Sequence, residues 1–205
     1  MGLTTAQIRE HLDAVAAQDA VVAGAIERVG YPQERIRETG YRTLLRTIVG
    51  QQVSVAAASS VWRKLEAELG EDMQAHELLA RDFDTLRACG LSRQKQGYAR
   101  SLCELVASGE LDIENLPEDD EDAIAELTRI KGIGRWSAEI YLLFAEGRQD
   151  IWPAGDLAVQ AALGKMLALP ERPSEKETRA LAEKWKPYRG AMAIFTWHAY
   201  ADPAL

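Results

Sequence analysis

The chain has 205 residues, 47% hydrophobic and 27% charged, the usage of ordinary globular proteins; this excludes fibrous, collagen-like and low-complexity classes and supplies enough apolar residues for a sizeable core. Its 24 basic residues stand against 32 acidic ones, a net charge of −8, which argues against a broad cationic face but leaves open phosphate binding by backbone amides at a helix N-terminus. No apolar run approaches the roughly 20 residues of a membrane span, and the polar start MGLTTAQIREHLD lacks a signal-peptide core, so a cytoplasmic location is expected.

Nearly every apolar pattern repeats at helical spacing, and no alternating β-branched run is bounded by hairpin turns, which predicts an all-α chain. Thr4 and Gln7 form a capping-box pair ahead of Ile8, Leu12 and Val15, and Tyr31-Pro32 interrupts the segment after it. From 41 to 69 the apolar positions fit one helix or two abutting ones, broken at Gly50-Gln51-Gln52 and closed by Gly70. Shorter helices follow over 76–80 and 83–89, and Ser92 caps a longer one to about 108. Cys89 and Cys103 form no CxxC pattern and are expected to be buried free thiols; His11, His76 and His198 are too scattered for a zinc site. The acidic run Glu118 to Asp122 suits a loop entering a helix, whose positive end favours carboxylates. Asp156 precedes an apolar run, Ser174 and Glu177 make a second capping box, and a last helix carries 191–200.

The segment Leu127-Thr128-Arg129-Ile130-Lys131-Gly132-Ile133-Gly134-Arg135-Trp136-Ser137-Ala138 predicts helix, tight turn, helix, with both glycines free to adopt positive φ. Amides near Gly132, Gly134 and Ser137 then converge on a phosphate without reading sequence. A Gly-x-Gly turn between helices is more often plain packing, and the missing Lys-Ser/Thr ending disfavours a nucleotide loop. Downstream, Asp150-Ile151-Trp152-Pro153-Ala154-Gly155-Asp156 brings an aspartate to a helix start. Taken alone, Asp156 is an ordinary N-cap.

With its hairpin, its Pro-Ala-Gly-Asp segment and the interval between them, the chain resembles the helix-hairpin-helix (HhH-GPD) DNA glycosylases, in particular their alkyl-base branch, the 3-methyladenine DNA glycosylase II type. Ile48-Val49-Gly50-Gln51-Gln52-Val53-Ser54, Gly90-Leu91-Ser92 with Lys95 and Tyr98, and Trp185-Lys186-Pro187-Tyr188-Arg189 match further motifs in the same order, so the resemblance spans about 41–200. It implies two helical lobes with an interlobe active-site cleft, a central lobe over 42–150 and a second from 1–41 and 151–205, in the short form without an N-terminal β-rich domain.

The resemblance also implies roles. Asp156 matches the catalytic aspartate, a fixed carboxylate that stabilises the positive charge growing on the sugar. Trp136 stands where lyase-competent relatives place a lysine nucleophile, and an indole forms no Schiff base, so a monofunctional glycosylase is expected. Trp136 and Trp197 match cleft tryptophans that would stack on a cationic alkylated base, with Tyr141 and Trp152 as further base-pocket candidates, while Trp62 and Trp185 are expected in the core. Gln51 or Gln52 is the candidate wedge filling the gap of a flipped base. Lys95, Arg135 and Arg189 are either phosphate contacts or surface ion-pair partners. No cofactor is required, but Thr128, Ile130 and Ile133 match carbonyls that hold a monovalent Na or K ion. The implied substrate is double-stranded DNA carrying 3-methyladenine or 7-methylguanine, bound by a monomer. Two other readings are a glycosylase for deaminated or oxidised bases and a non-catalytic DNA-binding protein that uses only the hairpin.

Overall fold

Gln7 donates its amide to Thr4 Oγ1 at 3.3 Å and accepts the Thr4 amide on Oε1 at 3.0 Å, the reciprocal cap that their spacing predicts. Behind it, α1 (Thr5–Ala16) buries Ile8, Leu12 and Val15 at i, i+4, i+7. The computed structural model describes residues 1–202, and among these it forms twelve α-helices and no strand. Asp19 caps α2 (Ala20–Val29) by accepting the Val21 amide at 3.1 Å.

The chain divides into two compact units, one from Glu38–Tyr141, the other from Met1–Arg37 together with Leu142 onward. These divisions differ from the expected 42 and 150, and local bonds explain the shift. Tyr141 Oη accepts the Gly40 amide at 2.7 Å, which keeps residues ahead of Tyr41 with the central unit. On the other side, the Phe144 carbonyl accepts the Arg37 amide at 2.8 Å and the Glu146 carbonyl accepts the N-terminal ammonium at 3.4 Å, which assigns residues after 141 to the unit holding the N-terminus. The last three residues of the expected second lobe, 203–205, lie outside the described residues.

In the central unit, α3 (Tyr41–Gly50) and α4 (Val55–Leu69) are separate helices: Gln52 takes φ +55 and Ser54 then accepts the Ala57 amide at 3.2 Å to start α4. Short α5 (Ala75–Leu79) and α6 (Phe83–Ala88) lead to α7 (Arg93–Ala107), which packs against α3, α5 and α6 and buries Ala99, Leu102 and Cys103. Each fully buried Leu or Ile of this core, such as Leu44, Leu45 and Ile48, contributes about 1.5–3 kcal/mol of transfer free energy. Both thiols are buried; Cys103 lies 3.3 Å from Tyr41 Oη, and burial pushes its pKa up to about 11.

The other unit is organised around α12 (Arg189–Ala201), buried continuously from Gly190 to Thr196 and packed against α1, α2 and α10 (Leu157–Met166). A helix apolar on all sides belongs in a core. Ser174 and Glu177 cap α11 (Glu175–Leu181) as their spacing predicts. Helical periodicity did not foretell the π turn Leu142–Glu146 that continues the hairpin's second helix. No helix among the described residues is long and apolar enough to cross a membrane.

Candidate functional site

The acidic run starts a helix, as its charge suggests: Asp119 Oδ1 accepts the Glu121 and Asp122 amides at 2.9 and 3.0 Å, opening α8 (Asp120–Thr128). Ala123, Ile124 and Leu127 are buried on α8, and Ile130 and Ile133 pin the turn 129–134 from below. The second helix, α9 (Arg135–Tyr141), packs against α8 and α3. Of the two hairpin glycines only Gly132 needs the left-handed region, at φ +85; Gly134 is not left-handed. A Cβ at Gly132 would also overlap the Tyr98 ring, so the turn is pressed against α7 as closely as a backbone without a side chain allows.

The charge of Arg135 is neutralised within the fold. Arg135 is bidentate to Glu121, at 2.5 and 2.7 Å, and its Nε donates to Glu139 at 2.9 Å. The Glu139 side chain is only 3% exposed, so this triad clips α9 to the start of α8. Of the two roles open to Arg135, the structure gives it the ion pair. Ser137, on the first turn of α9, is buried.

Lys95 and Gln51 are likewise engaged. Lys95 Nζ donates to the Val49 carbonyl at 2.7 Å, a cation at the C-terminal end of α3, and part burial lowers its pKa. Gln51 Nε2 donates to the Gly132 carbonyl at 2.7 Å, tying the turn after α3 to the hairpin. Gln52, beside it, is exposed and holds left-handed φ, a conformation that costs a non-glycine residue about 1–3 kcal/mol.

In the other unit a series of bonds fixes Asp156. The Ala154 amide donates to the Trp152 carbonyl at 2.8 Å, the Asp156 amide to the Pro153 carbonyl at 3.0 Å, and Gln160 Nε2 to the Ala154 carbonyl at 2.8 Å. Asp156 Oδ1 then accepts the Ala158 and Val159 amides at 2.9 and 3.0 Å at the head of α10, so the carboxylate is held by the helix it caps. Arg189 forks onto Asp150 at 2.8 and 2.7 Å and reaches Glu183 at 3.0 Å, which fastens α12 to the segment leading to Asp156.

The aromatic candidates separate by burial. Trp136 is 48% exposed, a large apolar surface left on the first turn of α9. Trp197 is half-buried and tilts against Phe144 at 5.5 Å. Trp152 is a correction: only 2% exposed, it donates Nε1 to the Thr178 carbonyl at 3.1 Å and meets Trp185 edge-on at 5.8 Å, which makes it core rather than pocket wall. Tyr141 is as deeply buried and is used at its hydroxyl by Gly40. Trp62 and Trp185 are core, as helical spacing predicted.

Residues 45–187 match the HhH-GPD superfamily of base excision DNA repair proteins. The chain belongs to that superfamily. DNA-3-methyladenine glycosylase 1 of Schizosaccharomyces pombe is 32% identical over 161 residues, covering 77% of this chain and 71% of that protein. Two solved structures superpose over nearly the whole chain. The S. pombe 3-methyladenine DNA glycosylase Mag1 in complex with abasic DNA has a TM-score of 0.77 at 29% identity, over 92% of this chain and 95% of that one. The DNA-3-methyladenine glycosidase of Bacillus halodurans has a TM-score of 0.85 at 30% identity, over 93% and 89%.

Within this HhH-GPD chain, sequence reasoning missed two residues that shape the hairpin. Ser101 Oγ accepts the Lys131 amide at 3.1 Å, and Glu139 neutralises Arg135 from inside the fold. The spacing Lys95, Tyr98, Ser101 on one face of α7 was visible, but which elements that face touches is set by tertiary packing.

Proposed function

We propose that this chain is a DNA glycosylase that flips alkylated purines, of the 3-methyladenine and 7-methylguanine type, out of double-stranded DNA and cleaves their glycosidic bond. The observation that carries the reading is Asp156, a carboxylate held by two amides at a helix head downstream of a hairpin, in a chain of the HhH-GPD superfamily. The names of its similar proteins, DNA-3-methyladenine glycosylase and glycosidase, support the alkyl-base substrate.

Alkylation at N3 or N7 puts positive charge on the purine and makes it a good leaving group, so little acid catalysis is needed. The carboxylate of Asp156 stabilises the positive charge that grows on the sugar and orients the attacking water; because helix amides already fix it, it reorganises little during the reaction. The exposed indole of Trp136 supplies an electron-rich face for a cationic base, worth about 0.5–2 kcal/mol, with Trp197 as a second such face. Trp136 in the place of a lysine makes the enzyme monofunctional, so its product is an intact abasic site. Gln52, exposed and left-handed, is the wedge, since Gln51 is committed to the hairpin. The hairpin's amides at Gly132, Gly134 and Ser137 hold a phosphate. The Thr128, Ile130 and Ile133 carbonyls are neutral oxygen donors of the kind a Na or K ion takes; the Ile130 carbonyl also accepts the Ile133 amide at 3.0 Å. The enzyme acts as a monomer.

The test incubates wild type and Asp156→Asn with methylated duplex DNA and assays released bases. Asn caps a helix as well as Asp does, so the variant folds, and its excision falls by about 10² or more with DNA binding retained. Equal activity of the two proteins overturns the role of Asp156. A borohydride-trapped covalent adduct overturns monofunctionality. Release of deaminated or oxidised bases alone reassigns the substrate.

A further inference from the structure

Four contacts converge on two turns of the central unit. Gln51 Nε2 bonds the Gly132 carbonyl, so the turn after α3 and the hairpin turn are directly joined. From α7, Lys95 holds the Val49 carbonyl at the end of α3, Tyr98 packs its ring on Gly132, and Ser101 accepts the Lys131 amide at 3.1 Å. Residues 95, 98 and 101 are spaced i, i+3, i+6 and share one helix face. Gln94 Nε2 donates to Tyr98 Oη at 2.6 Å and steadies that ring. Ser101 is buried and Lys95 and Tyr98 are half-buried, so all three are used from within the fold.

We propose that Gln51, Lys95, Tyr98 and Ser101 form a positioning clamp that sets the register between the Gln52 turn and the hairpin, so that the wedge is inserted at a fixed distance from the phosphate the hairpin holds. This rests on the proposed function, in which Gln52 is the wedge. A duplex presents its phosphates and its base steps at a fixed spacing, and a wedge borne on an independent loop would spend binding energy ordering itself at each encounter. Here the loop is ordered beforehand by one side-chain bond to the very turn that would grip the backbone. The tie also accounts for the different roles of two adjacent glutamines: the first is fastened down, and the second is left exposed in a left-handed conformation at the tip of the turn.

The test uses a duplex with an abasic-site analogue next to 2-aminopurine, whose fluorescence rises when it is unstacked, and measures affinity by anisotropy in parallel. Gln51→Met keeps the length of the side chain and removes its donor; Ser101→Ala removes the buried acceptor of the neighbouring Lys131 amide. Each is expected to reduce the fluorescence response and weaken binding about five-fold, the loss of one hydrogen bond's worth of preorganisation. Gln52→Ala should abolish the response, and adding Gln51→Met to Gln52→Ala should cost little more, because a residue that acts through the wedge has nothing left to position. Thermal unfolding checks that the variants fold. Additive losses in the double variant, or a Gln51→Met protein that unstacks the probe as wild type does, overturn the clamp. Base release from methylated DNA by the wild type judges the glycosylase reading separately.

Discussion

Gly132 carries two constraints at once, a backbone at φ +85 and a Tyr98 ring where a Cβ would stand, whereas a Cβ at Gly134 would meet nothing within 4 Å. Gly132→Ala should therefore destabilise the protein by about 2 kcal/mol or more, from the left-handed strain plus the displaced ring. Gly134→Ala should change stability by less than about 1 kcal/mol. Urea denaturation of both variants checks this, and equal losses would show that the Tyr98 contact is not a constraint. The sequence offered two equivalent glycines; the left-handed backbone at the first and the approach of α7 to it distinguish them. Trp152 carries the same lesson. The sequence left it a base-pocket candidate, and the bond from its indole N–H to the carbonyl of Thr178, a residue 26 positions away, turns it into core.

Elements are held at their ends by local rules that the sequence states openly. Thr4 with Gln7, Ser92 with Lys95 and Ser174 with Glu177 all cap where predicted. At the start of α2 a cap also joins distant chain. Asp19 accepts the Val21 amide at 3.1 Å, the Trp185 indole N–H at 3.0 Å and Lys184 Nζ at 2.7 Å. Part burial alone would raise its pKa, but the hydrogen bonds from Lys184 and Trp185 outweigh this and hold the carboxyl below its ordinary value. A depressed folded-state pKa means that the stabilisation is fully present above the unfolded carboxylate's pKa and is lost as pH falls from there through the lower folded-state pKa. Asp19→Ala should cost about 2 kcal/mol near neutrality, a lost cap plus a buried indole N–H left unpaired. The gap from wild type should narrow as the pH is lowered from about 5 towards 2. A gap constant across that range in urea titrations would exclude the charged contribution.

For the whole molecule, the net charge is −8, and all three predicted phosphate cations already have protein partners: Lys95 with Val49, Arg135 with Glu121 and Glu139, and Arg189 with Asp150 and Glu183. DNA affinity should depend weakly on salt, with a slope of log K against log salt corresponding to no more than about 3 phosphates. Arg189→Ala should lower stability while leaving that slope unchanged. Anisotropy titrations over a range of salt measure both, and a slope near that of a broadly cationic binder would contradict the reading.

What the sequence determined by itself is whatever depends on neighbours along the chain: an all-helical fold, the caps, the interruption at Gly50-Gln51-Gln52, and the hairpin followed by Asp156 at a helix head. These follow from φ/ψ preference, apolar periodicity and side-chain reach over three or four residues. Tertiary structure alone decided what depends on surfaces meeting. It chose Gln51 as a tether and left Gln52 exposed, committed Arg135 and Arg189 to carboxylates, buried Trp152, set the unit boundary at Tyr141, and opened a π turn after α9. An ion pair or a buried indole is chosen by which charge or carbonyl packing brings within about 3 Å, and a one-dimensional pattern does not contain that distance.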